Sequence, residues 1–339
     1  MIECEYLVIG ASYAGSLLAA DLSGKGDTLL VDKSQPGELM NCGGGLPIET
    51  FKKLEVDIPY TTTSRILMNI NGMERSFPAK YVVVDRRDLN RALFEKAIGA
   101  GVEFTRLSYI KHNPAEKTAN FAYHGKETVI KYRKLIFTDG FHPAKVRISQ
   151  KMKGKLPCGA AKVQIIEGQT PYPDTLYFKI TKENPVGYSW IFPMPENRMN
   201  IGAGGFNSGK VPEAFIDNLK KSENLDGRVL IRGGGVLPVN PLSRVQENNT
   251  YLFGNAAGMV YALNGEGLKH ISDISSQWAD AIVNDNNLNR QWKFSKTFFK
   301  LKFASYTLKI LLAGSKFFNK PLYPLACRAA AKSRNIIKT

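Results

Sequence analysis

From Asn286 to Thr339 the sequence has no aspartate or glutamate, although those 54 residues hold 12 lysines and arginines. Of the net charge of +16, that leaves only +4 for the first 285 residues, an ordinary value for a domain of that size. The basicity belongs to one end, and no nucleic-acid recognition motif accompanies it, so nucleic acid is not expected as a partner. Cysteine is also scarce. Cys4, Cys42, Cys158 and Cys327 lie far apart, with neither the spacing of a metal site nor the density of a disulfide framework. No metal is expected, and the pattern fits a reducing, cytoplasmic interior. Long apolar runs are missing too: no uncharged stretch reaches the roughly 18 residues of a transmembrane helix. The first residues, with Glu3 and Glu5 beside a glycine-punctuated apolar run, do not read as a signal peptide. What remains is a chain of 339 residues, 43% hydrophobic, able to bury a sizeable core in two connected domains.

The N-terminus carries the first motif. Glu5-Tyr6-Leu7-Val8-Ile9 reads as a strand, Gly10-Ala-Ser-Tyr-Ala-Gly15 follows at once, an alanine-rich helix runs to about Leu22, and Thr28–Asp32 makes a second strand. This strand–turn–helix–strand unit has an acid 22 residues after its first glycine, as dinucleotide binding requires. Gly10 permits the tight turn, the helix N-terminus offers amides to a pyrophosphate, and Asp32 is placed for ribose hydroxyls. Ser12 stands where the middle glycine is usual.

The second motif is Gly187-Tyr-Ser-Trp-Ile-Phe-Pro193, followed through a turn at Pro195-Glu196-Asn197 by Met199-Asn-Ile-Gly-Ala-Gly-Gly205. Period-two spacing puts Tyr188, Trp190 and Phe192 on one face of a strand, which Pro193 is expected to stop. Gly202 and Gly204 leave the returning strand almost bare, as a close neighbour or ligand requires. Two readings stay open: an ordinary hairpin core, or an aromatic wall over a flat floor suited to a long apolar substrate.

Other segments fill in the organisation. Asn41-Cys-Gly-Gly-Gly-Leu-Pro47 is a glycine loop with room for a planar ligand, and Asn71-Gly72 marks a hairpin between Ile66 and Phe77. Asp85 is expected to cap a helix, and Lys134–Gly140 reads as a strand entering a tight turn. Tyr251–Gly258 repeats the strand-then-glycine pattern, and Gly265-Glu-Gly267 opens a helix lasting to about Asn284. Near the end, Trp292, Phe294, Phe298, Phe299, Leu301, Phe303, Tyr306 and Leu308 interleave with lysines. That pattern fits an interfacial helix on an anionic membrane surface, with 316–324 as a second wedge. The alternative is a helical cap on the protein's own core with snorkelling lysines.

In this order the pieces resemble the FAD-dependent geranylgeranyl reductase family, within the flavoproteins that include the aromatic hydroxylases. The resemblance spans about residues 5–284. Gly10, Ser12, Ala14, Gly15 and Asp32 match the family's FAD-binding unit, and Cys42, Gly43 and Gly45 its cysteine–glycine loop. Arg86 falls where the group has an arginine near the FAD phosphates, and Asp139 in its Asp-Gly turn. Gly254, Asn255 and Gly258, then Gly265, Gly267 and Leu268, match the segments around the ribityl chain and flavin. The Tyr-x-Trp-x-Phe-Pro motif separates these reductases from the hydroxylases. The chain departs from the family at Asn255, where aspartate is usual, at Ala262, where proline is common, and at Ser276, where glycine is.

The resemblance implies an α/β fold: a split Rossmann-type FAD domain over 1–60, 80–150 and 250–285. An inserted antiparallel β substrate domain covers 61–79 and 151–249, and a basic amphipathic tail covers 286–339. It implies an enzyme that uses FAD and an electron donor, NAD(P)H or ferredoxin-like, to reduce isolated C=C bonds of polyprenyl lipids; the basic aromatic tail adds the expectation of peripheral membrane attachment. Tyr188, Trp190, Phe192, Gly202 and Gly204 are then the substrate face. Tyr188 and Trp190 are candidate catalytic residues because aromatic faces stabilise a developing positive charge. Cys42 is either a third catalytic residue or a small packing residue. His142 and His270 read as surface or helix residues, and Glu266 as an acid that a helix N-terminus keeps ionised. A flavin monooxygenase or halogenase, and a non-enzymatic flavoprotein or lipid carrier, are the competing functions.

Overall fold

Parallel strands covered on both faces need near-continuous apolar runs, and the first sheet is built from three of them. The computed structural model describes residues 2–39, 42–141, 148, 158–184, 187–206, 211 and 213–317. In chain order come β1 (Ile2–Ile9), α1 (Tyr13–Ser23), β2 (Thr28–Asp32), β3 (Gly45–Pro47), α2 (Ile48–Leu54), β4 (Tyr60–Ile70), β5 (Met73–Val84) and α3 (Arg86–Gly99). Next are β6 (Glu103–Arg106), β7 (Ser108–Asn113), β8 (Thr118–Tyr123), β9 (Lys126–Phe137), β10 (Cys158–Glu167), β11 (Thr175–Ile180), β12 (Gly187–Met194) and β13 (Arg198–Gly205). The last are α4 (Ala214–Ser222), β14 (Val229–Pro238), β15 (Gln246–Glu247), β16 (Thr250–Leu252), α5 (Leu268–Val283), α6 (Leu288–Lys293) and α7 (Lys296–Phe317).

The first sheet has the order β15-β16-β9-β1-β2-β6, with β7 and β8 branching from β9. Its centre is parallel: β1 pairs with β2 on one side and β9 on the other, and β16 joins β9. Leu7, Val8, Leu30, Val31, Leu135, Ile136 and Phe137 are fully buried there. α1 packs against both α3 and α5. The N-termini of α1 and α5 follow the C-terminal ends of β1 and β16, the edge at which open α/β sheets bind ligands. Lys134, itself buried, donates to the carbonyls of Ile282 and Val283 and pairs with Asp285 at 2.7 Å, which fixes the far end of α5.

The second sheet runs β14-β10-β13-β12-β11-β4-β5-β3 and is antiparallel except where β11 meets β4. Its β4–β5 hairpin turns at Asn71 and Gly72, both left-handed (φ 50° and 86°), as a type I′ turn demands. The domain boundary read at residue 80 falls inside β5, which continues in this sheet to Val84. Pro193 does not end its strand. β12 runs on to Met194, with Pro193 opposite Met199. The β11 ladder has already stopped at Ile191, so no second neighbour calls for the missing N–H.

The tail aromatics sort by face. Trp292, Phe298, Leu301 and Leu308 are buried, and the Trp292 indole N–H donates to the Leu242 carbonyl at 2.7 Å. Phe294, Phe299, Phe303 and Tyr306 are exposed. The helix thus caps the protein's core on one side and shows an apolar face on the other. Asn41, His142, Cys327 and the wedge from Phe318 onward lie outside the described residues.

Candidate functional site

The turn after β1 is shaped by what packs beneath it. Gly10 has φ 108°, and a Cβ there would lie 2.7 Å from the Asp139 backbone; one on Gly15 would lie 1.7 Å from the Gly10 carbonyl oxygen. Only glycine lets this loop rest on the turn after β9. Thr138 locks the contact, its hydroxyl reaching the Ile9 and Gly10 carbonyls at 2.8 and 2.7 Å. Asp139 is exposed on the same turn. Asp32 accepts the Ala11 N–H at 2.7 Å and the Ser34 N–H at 2.9 Å, so it ties the loop to β2 and keeps further lone pairs on both oxygens. Ser12 occupies the N-cap of α1 in extended conformation, and its hydroxyl makes no capping bond. Ala14 faces Gly254, where a Cβ would approach its methyl to 2.6 Å.

Arg86, the first residue of α3, is 3% exposed. Its Nε and Nη1 have no hydrogen-bond partner among the described residues. The guanidinium lies 4.9 Å over the Tyr13 ring. Arg87 next to it pairs with Asp85 at 2.7 Å. Burial pushes Asp85 up, but the hydrogen bonds and charge of Arg87, with Arg198 beyond, hold it below the usual carboxylate range. A buried cation without a counter-charge is costly, and here it stacks on Tyr13, the first residue of α1, next to a helix N-terminus whose first amides have no intrahelical acceptor. These residues fit the pyrophosphate of a dinucleotide. Tyr13 was not singled out in the sequence; its hydroxyl lies 2.5 Å from Ser272 Oγ, and burial pushes it up to about 12. That contact links α1 to α5.

The second half of the site joins the glycine loop to the aromatic hairpin. A Cβ on Gly43 would lie 2.9 Å from the Phe192 ring and 3.2 Å from Trp190 Nε1, and one on Gly45 3.4 Å from Phe192. Gly44 has φ 78° and accepts the Val84 N–H at 3.1 Å. Asn200, fully buried, accepts from the Trp190 indole N–H at 2.9 Å and donates to the Cys42 carbonyl at 3.1 Å. The Cys42 sulfur is turned towards the Gly44 N–H at 3.5 Å. Nothing in the sequence marked Asn200 beyond its place in the returning strand.

Tyr188, Trp190 and Phe192 do share a face, with ring centroids 5.9 and 6.2 Å apart, and Phe178 packs against the outer two. Trp190 and Phe192 are buried and Tyr188 half-buried. The bare floor has an occupant: Trp190 lies opposite Gly202, where a Cβ would come within 2.2 Å of the indole, and a Cβ on Gly204 would lie 3.8 Å from the same ring.

The loop before α5 closes the third side. Gly254, Gly258 and Gly265 are all left-handed (φ 66°, 77° and 70°). Tyr188 donates its hydroxyl to the Asn264 carbonyl at 2.7 Å and lies 3.3 Å from the Cβ position of Gly265. Gly267 caps α5, which begins at Leu268, and Asn255 Oδ1 is 3.8 Å from the Gly267 Cβ position. His270, one turn in, is 4% exposed, and its Nε2 has no partner among the described residues. Burial pulls its pKa from 6.5 down to about 4. It is a buried helix residue, not a surface one. The contacts Ala14–Gly254, Tyr13–Ser272, Tyr188–Gly265 and Gly43–Trp190 thus bring the three groups together. Among the described residues, no group of His, Cys, Asp and Glu is placed to hold a metal ion.

No protein-family model matches the chain. Digeranylgeranylglycerophospholipid reductase 2 of Methanopyrus kandleri is 27% identical over 363 residues, covering 96% of this chain and 90% of that protein. The digeranylgeranylglycerophospholipid reductase of Methanosarcina acetivorans is 29% identical over 300 residues, covering 79% and 72%. Among solved structures, a geranylgeranyl bacteriochlorophyll reductase-like protein of Thermoplasma acidophilum has the same fold, with a TM-score of 0.76 and 18% identity over 91% of this chain and 88% of that one. The flavin-dependent brominase Bmp2 shares it at 0.68 and 16%, over 90% and 84%. The relatives bear out the resemblance read from the motifs.

Proposed function

We propose that this relative of the geranylgeranyl reductases is a FAD-dependent oxidoreductase that saturates isolated C=C bonds in the geranylgeranyl chains of membrane lipids or their precursors. The observation that carries the reading is the pairing of two features: the buried Arg86 guanidinium, stacked on Tyr13 of α1 with Nε and Nη1 lacking a hydrogen-bond partner among the described residues, and the aromatic hairpin hydrogen-bonded through Asn200 to the Cys42 loop.

Gly10–Gly15, Asp32 and Arg86 would hold the adenosine and pyrophosphate of FAD. Cys42–Gly45, Gly254–Gly258 and Gly265–Leu268 would border its ribityl chain and ring. Bound there, FAD supplies a hydride. An isolated alkene has no carbonyl to polarise, so its reduction builds positive charge on the branched carbon as a proton and a hydride are added. Trp190 meets that demand with an electron-rich face that cannot itself react. Its N–H is engaged by Asn200, which fixes the ring plane. Tyr188 adds a second ring, and its hydroxyl is committed to the Asn264 carbonyl. Around the rings, Phe178 and Phe192 exclude water. Cys42 is the side chain of the glycine loop able to move a proton.

The exposed apolar face of α7 and its lysines support peripheral attachment to an anionic membrane on the cytoplasmic side. Among the described residues no helix is long and apolar enough to cross a membrane. The brominase shares the fold, but the Tyr-x-Trp-x-Phe-Pro hairpin favours the reductase over a halogenase or monooxygenase. The test is anaerobic turnover of a geranylgeranyl lipid by FAD-reconstituted protein. Product formation that requires oxygen supports the monooxygenase instead, and a protein that cannot be loaded with FAD supports the carrier.

A further inference from the structure

The inner side of α7 does not close completely on the sheet. Between it and the ends of β10, β13 and β14 lies a small open cleft of ≈ 50 Å³ with apolar walls of Phe206, Val239, Leu308 and Leu312. Val239 and Leu308 belong to an apolar cluster that also packs Leu263, Phe206 and Tyr188, and Tyr188 leads on to Trp190. Packed apolar side chains, which would have to part to admit a chain, therefore link the helix to the aromatic hairpin. The rim of the cleft is cationic. Lys309 lines it, and Lys302 stands two turns earlier on the same helix; their ammonium nitrogens lie 5.8 and 5.6 Å from the Tyr306 ring centroid. Lys302 and Ser305 both donate to Asn240 Oδ1, at 3.0 and 3.2 Å. Among the described residues no carboxylate pairs with either lysine. Burial, and then the charge of Lys309, hold Lys302 below the usual lysine range; an anion between them relieves both effects.

We propose that this cleft is the port by which a prenyl chain enters from the bilayer, with Lys302 and Lys309 holding the phosphate of a phospholipid at the rim. The proposal rests on the reductase reading. A membrane phospholipid, not a soluble prenyl diphosphate, is the occupant because of the outer face of the same helix. Phe299, Phe303, Tyr306 and Ile310 are 58, 72, 55 and 70% exposed, and their 4-3-4 spacing makes one stripe. A bilayer covers such a stripe and sets the lysines at headgroup level, where ammonium groups meet phosphate.

Cys158 lines the cleft and reports on it directly. The experiment follows maleimide labelling of Cys158, mapped by peptide mass spectrometry, in the full FAD-loaded chain in neutral detergent micelles. A geranylgeranyl glycerophospholipid should slow labelling about tenfold, the scale of one or two charge-assisted hydrogen bonds plus chain burial. K302Q/K309Q should lose most of that protection while keeping the weaker protection given by uncharged geranylgeraniol and its full FAD content. Leu308→Trp, which fills the cleft, should abolish protection by both. Unchanged labelling with the phospholipid, full protection in the double variant, or better protection by geranylgeranyl diphosphate would each overturn the proposal. Protection of Cys158 without reduction of any prenyl bond keeps the port and removes the reductase reading. Reduction with Cys158 unprotected does the reverse.

Discussion

Arg86 carries the sharpest residue-scale consequence. A buried guanidinium whose Nε and Nη1 find no partner destabilises the ligand-free fold and favours any anion that reaches it. Arg86→Met should therefore raise the melting temperature of FAD-free protein, by the equivalent of about 1–3 kcal/mol. The same change should weaken FAD binding about ten- to a hundredfold in a fluorescence titration. A variant that loses stability and keeps its affinity contradicts the assignment. Asn200→Ala should cost about 1–3 kcal/mol, because it leaves the Trp190 N–H and the Cys42 carbonyl buried without partners. Turnover should fall with it while FAD stays bound. His270 supplies a pH signature. Its folded pKa is depressed, from 6.5 to about 4, so the unfolded chain binds the proton more readily. Stability is then full above pH 6.5 and is lost as the pH falls towards 4, by at most about 3 kcal/mol. His270→Phe should flatten the pH dependence of the denaturation midpoint over that window. Arg86 was legible because its motif is local. Tyr13 and Asn200 were not, since their contacts are with Ser272 and Cys42, 259 and 158 residues away in the chain.

At the scale of elements, local chemistry explains what the sequence made legible. β1, α1 and β2 follow from an apolar run, a glycine turn and an alanine-rich helix. The β4–β5 hairpin follows from Asn71-Gly72, and α3 from its cap, where Asp85 accepts the Arg87 N–H at 3.0 Å. Asp85→Ala should cost about 1–2 kcal/mol at neutral pH. Because the folded pKa lies below 3.8, that difference is present above pH 4 and should shrink as the pH falls below it. Long-range pairing was less legible: β9 and β16 reach the first sheet from residues 126 and 250, and no local signal fixes that. Pro193 misled for the same reason, since its tolerance depends on where the β11 ladder ends. The sorting of the tail aromatics depends on partners such as Leu242. The exposed set makes its own test. Replacing Phe299, Phe303 and Ile310 by glutamate should abolish sedimentation with anionic vesicles at low salt without lowering the melting temperature, whereas unchanged sedimentation removes α7 as the attachment face.

For the whole molecule, the two sheets and the tail give one arrangement: glycine turns at the C-terminal edge of a parallel sheet, an aromatic hairpin of the second sheet packed against the Cys42 loop, and a helix with an exposed apolar stripe and lysines. The return of the chain to the first sheet at β16, after β10–β14 of the second, matches the recurrence of strand-then-glycine at Tyr251–Gly258. The closure of the hairpin around its own Trp190 was not, because a bare glycine strand does not say what fills it. The central claim is that this assembly delivers hydrogen to an isolated prenyl double bond. It is tested by incubating the FAD-loaded protein anaerobically, with a chemical reductant in excess of the double bonds, with a geranylgeranyl glycerophospholipid in anionic vesicles and weighing the lipid by mass spectrometry. The account predicts a mass gain of one pair of hydrogens per double bond, lost in Trp190→Ala with FAD still bound. An unchanged lipid mass in the presence of bound, reduced flavin would contradict it.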